Sequence, residues 1–428
     1  MPRKHARGKA ADPVAQRPGR SPGAPPSNTA PANYKPDEIT RFLRVGIDSL
    51  YLSYTGKLHL GTETKLKAIK LLAQGPPHQR ALAVYPVSEH RFEVRDKGAG
   101  PFFYVLIDNA CRIQLSGLKA RSLPLGYVQA KSAWLLAKGV ENAVAELTEI
   151  VSQLGQVEGE PTVSRADLYV DFTVNWAFGI ALTDQWITRA RRITTHTLDK
   201  AFSGFSIGLG GDISARLYDK TREIEASGKG YLKDIWRVCG WDGEATVYRL
   251  EFQIERRVLG EHGVRILADL QQRTGPLWRY ATLNWLKLVV PSQHDANPTR
   301  WPLHPVWAAL AQVDWPGSQE GLSLPLRLDR GPSEEKLYIY GLGWIASFMA
   351  CHGITDSREA FRLFEEAARQ FINAKRDRIE IDFEGYLFEK AALKARKFNL
   401  PYPDIDERRE KAIRPAYAAA YRKAKDGE

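Results

Sequence analysis

The chain has 428 residues, room for two or three domains, with 43% apolar residues and a formal charge of +11. No apolar run reaches the roughly 18–20 residues that span a bilayer, and the first residues lack the apolar core of a signal peptide. Cys111, Cys239 and Cys351 stand too far apart for a zinc-site spacing or a disulfide framework, so a reduced, cytoplasmic setting without a membrane is expected.

The positive balance points to a polyanionic partner, nucleic acid or an anionic surface. Much of it lies at one end: residues 1–36 hold seven Lys/Arg against one acid, Asp12, which leaves +5 for the rest. This stretch is rich in Pro, Gly and Ala and reads as a disordered basic tail.

From Val45 the pattern becomes that of a folded domain. GIDSLYLSYTG, RFEVRD and PFFYVLID read as strands, with a hairpin around Lys97–Gly100. SAWLLAKGVENAVAELTEIVSQLG has helical spacing and stops at Gly155. TVSRADLYVDFTVN alternates as a strand, and LTDQWITRARRI starts as a helix capped at Thr183. FSIGLGG and DISARLYDK form strand, turn and strand, KGYLKDIWRVCGWDGE reads as a loop, and TVYRLEFQIERRVL passes from strand to helix. Beyond about Thr274 the chain turns helical, including DSREAFRLFEEAARQFINAKRDRI and YLFEKAALKARKF. The expected organisation is a tail over 1–36, a mixed strand-and-helix domain over 40–290 and a mostly helical region over 300–428.

Side chains alternate along a strand, so each strand has two faces. In SRADLYVDFTV one face carries Arg165, Asp167, Tyr169 and Asp171; in VYRLEFQIER one face carries Arg249, Glu251, Gln253 and Glu255. In SARLYDK, Ser214, Arg216, Tyr218 and Lys220 share a face. Any one of these reads as a solvated sheet face with cross-strand ion pairs. If the three pair in one antiparallel sheet, their polar faces merge. Asp167, Asp171 and Glu251 are then hard oxygen ligands suited to Mg²⁺ or Mn²⁺, and Tyr218 lies between the cations Arg216 and Lys220. A phenol is a poor nucleophile at neutral pH, but a nearby metal and two cations make its phenolate accessible for attack on phosphorus.

SRADLYVDF, then IGLGGDISARLYDKTREI, then YRLEFQIER resemble, in order and spacing, the replication initiation factor family. These are the trans-acting Rep initiators of rolling-circle plasmids, with related domains in filamentous-phage replication proteins and in relaxases of integrative conjugative elements. The resemblance covers roughly Arg44 to Leu259 and includes the GIDSLYLSY strand. It implies an α+β fold with a mainly antiparallel sheet flanked by helices, like a relaxase or Rep nuclease. It implies metal-dependent nicking of one strand at an origin, in a single-stranded or cruciform region, leaving a 5′-phosphotyrosine and a 3′-OH primer; a host helicase and polymerase are the implied partners. Carried over by position, Tyr218 is the nucleophile, Arg216 and Lys220 its cations, and Asp167 and Glu251 metal ligands, with Asp171 beside them. Asp48, at a strand start, also reads as a cap or turn residue. The turn Gly208-Leu-Gly-Gly211 departs from the polar or basic residues expected there, which puts DNA contacts by the turn in question.

Tyr417 and Tyr421, spaced i and i+4, share a helix face and read as packing or DNA contact rather than as paired nucleophiles. No two of the nine histidines fall within two residues of each other, so the His–hydrophobic–His metal motif of two-tyrosine nickases is missing. The alternatives are a conjugative relaxase with the same chemistry, and a non-catalytic DNA-binding regulator that reads DNA through its basic C-terminal helices.

Overall fold

The main sheet is built from eleven strands, in chain order β1 (Thr40–Tyr54), β2 (Val84–Val87), β3 (His90–Val94), β4 (Tyr104–Ile107), β5 (Cys111–Leu115), β6 (Gly126–Ala130), β7 (Thr162–Val174), β8 (Ile193–Leu198), β9 (Ala201–Ile207), β10 (Ile213–Asp219) and β11 (Val247–Glu255). The computed structural model describes residues 40–227, 229–317, 331–374 and 382–425, with side chains up to 415 apart from Ala226. In it these strands form one sheet in the order β8-β9-β10-β11-β7-β1-β6-β5-β4-β3-β2, all neighbours antiparallel. The fold is α+β: a large antiparallel sheet flanked by helices, followed by a helical C-terminal region of Glu334–His352, Ser357–Ala374, Phe383–Phe398 and Ile405–Lys425. The basic tail and the side chains of Tyr417 and Tyr421 lie outside the described residues. Among the described residues no single helix is long and apolar enough to cross a membrane.

The three motif-bearing strands are neighbours: β10 pairs with β11, and β11 with β7. Their apolar faces point the same way. Leu217, Leu250, Phe252, Leu168 and Phe172 are buried there, and the helix Leu267–Tyr280 packs on this face, with Trp278 edge-on to Phe252 at 5.2 Å between ring centroids. The core continues through Leu303, Val306 and Trp307. Burying that face fixes the register, because a slip of one residue would turn the apolar row outward. The charged row on the opposite face is fixed with it.

Three local readings change. Thr183 lies in a 3-10 turn, Ile180–Gln185, followed by the short strand Trp186–Thr188 rather than by a helix. Trp186 is the anchor here, packing edge-on against Phe205 and Trp307, and the β-branched Ile187 and Thr188 pair with Leu286–Leu288. The long helix predicted after Ser132 is two, Ser132–Lys138 and Val140–Leu154, divided at Gly139, whose φ of 79° no helix accommodates. The segment read as a loop contains the helix Tyr231–Val238. Its buried Leu232, Ile235 and Trp236 have the i, i+3, i+4 spacing of an amphipathic turn.

Candidate active site

The shared register places the polar side chains in ranks across the sheet. Tyr218 stands beside Arg249, and Arg249 beside Asp171. One rank along, Arg216 faces Glu251, and Glu251 faces Tyr169; beyond that, Gln253 faces Asp167. The centre of the merged polar face is buried. Asp171 is 0% exposed, Arg249 1%, Asp167 2% and Glu251 5%.

Arg249 organises one end. Its Nε and Nη2 donate to the two oxygens of Asp171 at 2.6 and 2.9 Å, and its Nη1 donates to Asp48 Oδ1. The guanidinium lies 3.8 Å above the Tyr169 ring, whose hydroxyl accepts from Arg44 Nε at 3.1 Å. Trp236 Nε1 donates to Asp171 Oδ2 at 3.0 Å, which seals this end under the Tyr231–Val238 helix. Asp48 corrects its reading as a cap or turn residue. It lies inside β1, where the pairing with β7 shifts between Ile47 and Ser49, and a bulge of this kind re-aims a side chain. Burial alone would raise the Asp48 carboxyl, but Arg249, Lys220, Lys229 and the Ser132 hydroxyl, at 2.9 Å, together hold it below its ordinary value.

The other end opens into a cleft of about 720 Å³ whose walls include Asp48, Asp167, Arg216, Tyr218, Lys220 and Glu251. The contacts of Tyr218 and Glu251 are long. Tyr218 Oη donates to Glu251 Oε2 at 3.4 Å and accepts from Lys220 Nζ at 3.5 Å, the outer limit for a hydrogen bond. Arg216, 46% exposed in its side chain, stands 3.7 Å from Glu251 Oε1. Lys220 is not a strand residue as expected. β10 ends at Asp219 and Lys220 opens the helix Lys220–Ser227, yet its ammonium stays buried under Tyr218, paired with Glu223. Space beside Tyr218 is kept by Gly204 on β9, directly opposite. A Cβ there would fall 2.6 Å from the Leu217 carbonyl and 2.8 Å from Tyr218 Cβ.

The electrostatics follow from enclosure. Burial, with Asp48 and Asp167 close by and only partly offset by Arg249 and Arg216, pushes Glu251 up to about 7. Burial also lifts Tyr218 well above its ordinary range in spite of Arg249, so flanking cations alone do not make its phenolate accessible. Lys220 is lowered, by burial first and by Arg249 second. Asp167 is raised by burial despite Arg165, which donates to both its oxygens at 2.7 Å.

Those arginines bear on the expected metal set. Arg249 occupies both oxygens of Asp171 and Arg165 both of Asp167, leaving Glu251 as the expected ligand without a short contact. Among the described residues no group of three or more His, Cys, Asp or Glu side chains is placed to hold a metal ion. In this arrangement Asp167, Asp171 and Glu251 do not fit a divalent ion.

Residues the sequence did not single out also line or brace the site. Arg249 was legible as the polar-face residue two before Glu251. Glu223 was within the tyrosine block, three residues after Lys220, while His196, hydrogen-bonded to Ser206 at 2.8 Å, and Lys229 reach the cleft from segments with no local motif.

Fold and site together define an antiparallel α+β protein with a tyrosine–carboxylate–cation cleft on one sheet face. No family model and no curated protein matches the chain. Among solved structures it is similar to the rolling circle replication initiator protein from Geobacillus stearothermophilus, at 14% identity and a TM-score of 0.38, over 64% of this chain and 95% of that one.

Proposed function

We propose that the chain is a DNA strand nickase of the rolling-circle initiation type, with Tyr218 as nucleophile. The observation that carries this reading is the Tyr218 hydroxyl, held only by long contacts between a carboxylate poised near neutrality and a buried ammonium, on the wall of an open cleft. A general base works best with a pKa near the working pH, which suits Glu251 to take the phenol proton. Tyr218 Oη attacks the phosphorus, its proton passes to Glu251 Oε2, and the bond to the 3′ oxygen breaks. The departing oxygen takes a proton from water in the cleft and becomes a 3′-OH; the phosphate stays on the tyrosine. Arg216 and Lys220 offset the charge that grows on the phosphoryl oxygens. Origin DNA is the proposed substrate, and host helicase and polymerase the proposed users of the exposed strand and primer.

The test is nicking of supercoiled DNA carrying the cognate origin. Wild type gives open circles with protein bound to the 5′ end, and Tyr218→Phe binds the same DNA without nicking it. Normal nicking by Tyr218→Phe removes the nucleophile; absence of any covalent adduct with wild type favours the regulator. The resemblance also implies Mg²⁺ or Mn²⁺. For Asp167 to serve as a ligand, Arg165 must first release it, so nicking only in Mn²⁺ indicates that release, while nicking in chelator indicates that Glu251 and the cations suffice.

A further inference from the structure

Six residues from Tyr218 along β10, at the other end of the β9–β10 hairpin, a second cleft of about 670 Å³ surrounds the turn Gly208–Gly211. The turn itself carries no charge, which put its DNA contacts in question. The basic groups come instead from its neighbours: Arg189, Arg191 and Arg192 ahead of β8, and Arg257 after β11. All four are exposed. Arg257 is paired with Asp212 and lies 3.7 Å from Glu261, and Arg189 donates to the Tyr280 hydroxyl at 3.4 Å. Arg191 and Arg192 have no carboxylate partner among the described residues.

The cleft is held in shape by backbone. Gly208 N donates to the Arg192 carbonyl at 3.0 Å and Arg189 N to the Trp285 carbonyl at 3.1 Å, so the arginine segment is tied at both ends. Gly208 has a φ of 69°, and a Cβ on it would lie 2.9 Å from the Trp285 ring and 3.0 Å from Ala190 Cβ. Glycine at 208 therefore lets the turn tuck against Trp285.

We propose that this cleft is a second DNA site, in which Arg191 and Arg192 hold phosphates of the duplex flanking the nicked bond. The inference rests on the reading that the protein's substrate is DNA, and adds to it where the flanking duplex runs. Free guanidiniums in a fixed fork match phosphate geometry, and unpaired cations are the ones that release counterions on binding. The six residues from Asp212 to Tyr218 span about 20 Å of strand. At about 3.4 Å per phosphate along one strand, the cleft meets the backbone roughly six nucleotides from the bond that Tyr218 attacks.

The experiment measures binding of a labelled duplex by the full chain carrying Tyr218→Phe, across a salt series, so that nicking does not enter. Adding Arg191→Ala and Arg192→Ala lowers affinity roughly tenfold or more at about 0.1 M salt and makes the slope of log K against log salt shallower by roughly 2. Arg191→Lys with Arg192→Lys retains most of the slope, since a point charge still neutralises a phosphate. An unchanged slope in the alanine pair, or a loss seen only with anionic lipid vesicles, overturns the proposal while leaving Tyr218 chemistry intact. Failure of the Tyr218→Phe parent to bind any duplex removes both the proposal and the reading it rests on.

Discussion

The two ends of one strand face behave differently. At the sealed end, Asp171, Arg249, Asp48 and Trp236 form a network of short hydrogen bonds, with both Asp171 oxygens satisfied. At the open end, Glu251, Tyr218, Lys220 and Arg216 meet at 3.4 to 3.7 Å, and Glu251 is driven toward neutrality. The same alternation of residues produced both ends; what separates them is what covers them. The Tyr231–Val238 helix closes the first, and Gly204 keeps the second clear. A saturated buried ion pair holds geometry, whereas loosely paired enclosed groups retain free energy to be released on a substrate. On the proposed function, the sealed end is a frame and the open end the working part.

Cutting the frame is expected to have the largest effect on stability. Asp171→Ala leaves the guanidinium of Arg249 buried with Asp48 as its remaining acid, and breaking such a pair costs roughly 3–5 kcal/mol. Urea unfolding should show a lower midpoint with an unchanged slope. A loss below about 1 kcal/mol would mean that this end is not a frame.

Glu251→Gln is expected to do the reverse. The Glu251 carboxyl titrates near 4.5 in the unfolded chain and is pushed up to about 7 in the fold. Between those values the folded protein binds a proton that the unfolded chain has released, so the stability linked to this group is full below about 4.5 and falls as pH rises through about 7. Above that the deficit amounts to roughly 3 kcal/mol, at about 1.4 kcal/mol per pKa unit. Glutamine, which does not ionise, removes it. The variant should melt higher than wild type at pH 8, match it near pH 4.5, and lose most nicking. Equal melting at pH 8 would show that Glu251 is not held near neutrality. Wild-type nicking should in turn rise with pH through about 7 as Glu251 becomes a base.

How much of this was legible depends on what set each feature. The polar faces of β7, β10 and β11 follow from a period of two and, Lys220 beyond the end of β10 excepted, match the alternation read from the sequence, because both register and burial obey it. That the three strands adjoin is a long-range property, a condition left open by the sequence and visible only in the sheet. Which carboxylate is committed to which arginine was not legible. Asp167 and Asp171 look alike in sequence, and only the pairing of β7 with β11 places Arg249 against the second. The aim of Asp48 depends on a bulge that exists between two strands rather than in either. The helix carrying Trp236 was passed over because it is short and begins among polar residues, although its Leu232, Ile235 and Trp236 spacing was there to be counted.

Trp236→Phe tests the seal with a smaller change. The ring remains to fill the space, but Asp171 loses one donor, a change worth about 1 kcal/mol for a buried hydrogen bond. Because Arg249 still holds both oxygens, nicking should fall far less than with Glu251→Gln. An equal fall in both would join the two ends into one functional unit and dissolve the distinction between them.

Arg216→Ala is expected to change stability least and to separate the ends most cleanly. The side chain is nearly half exposed and its contact with Glu251, at 3.7 Å, is solvent-screened, so thermal unfolding should move by no more than about 0.5 kcal/mol. Its proposed task arises only when a phosphate enters the cleft, where losing one charge-stabilising donor lowers nicking by roughly a hundredfold. Arg216→Lys restores part of the rate, because an ammonium offers charge without the planar fork. Measured beside Asp171→Ala, the pair gives opposite signatures, one losing stability and the other losing rate at constant stability. If Arg216→Ala instead unfolds the protein, the open end is also part of the frame; if it nicks at the wild-type rate, the phosphate does not lie between Arg216 and Lys220.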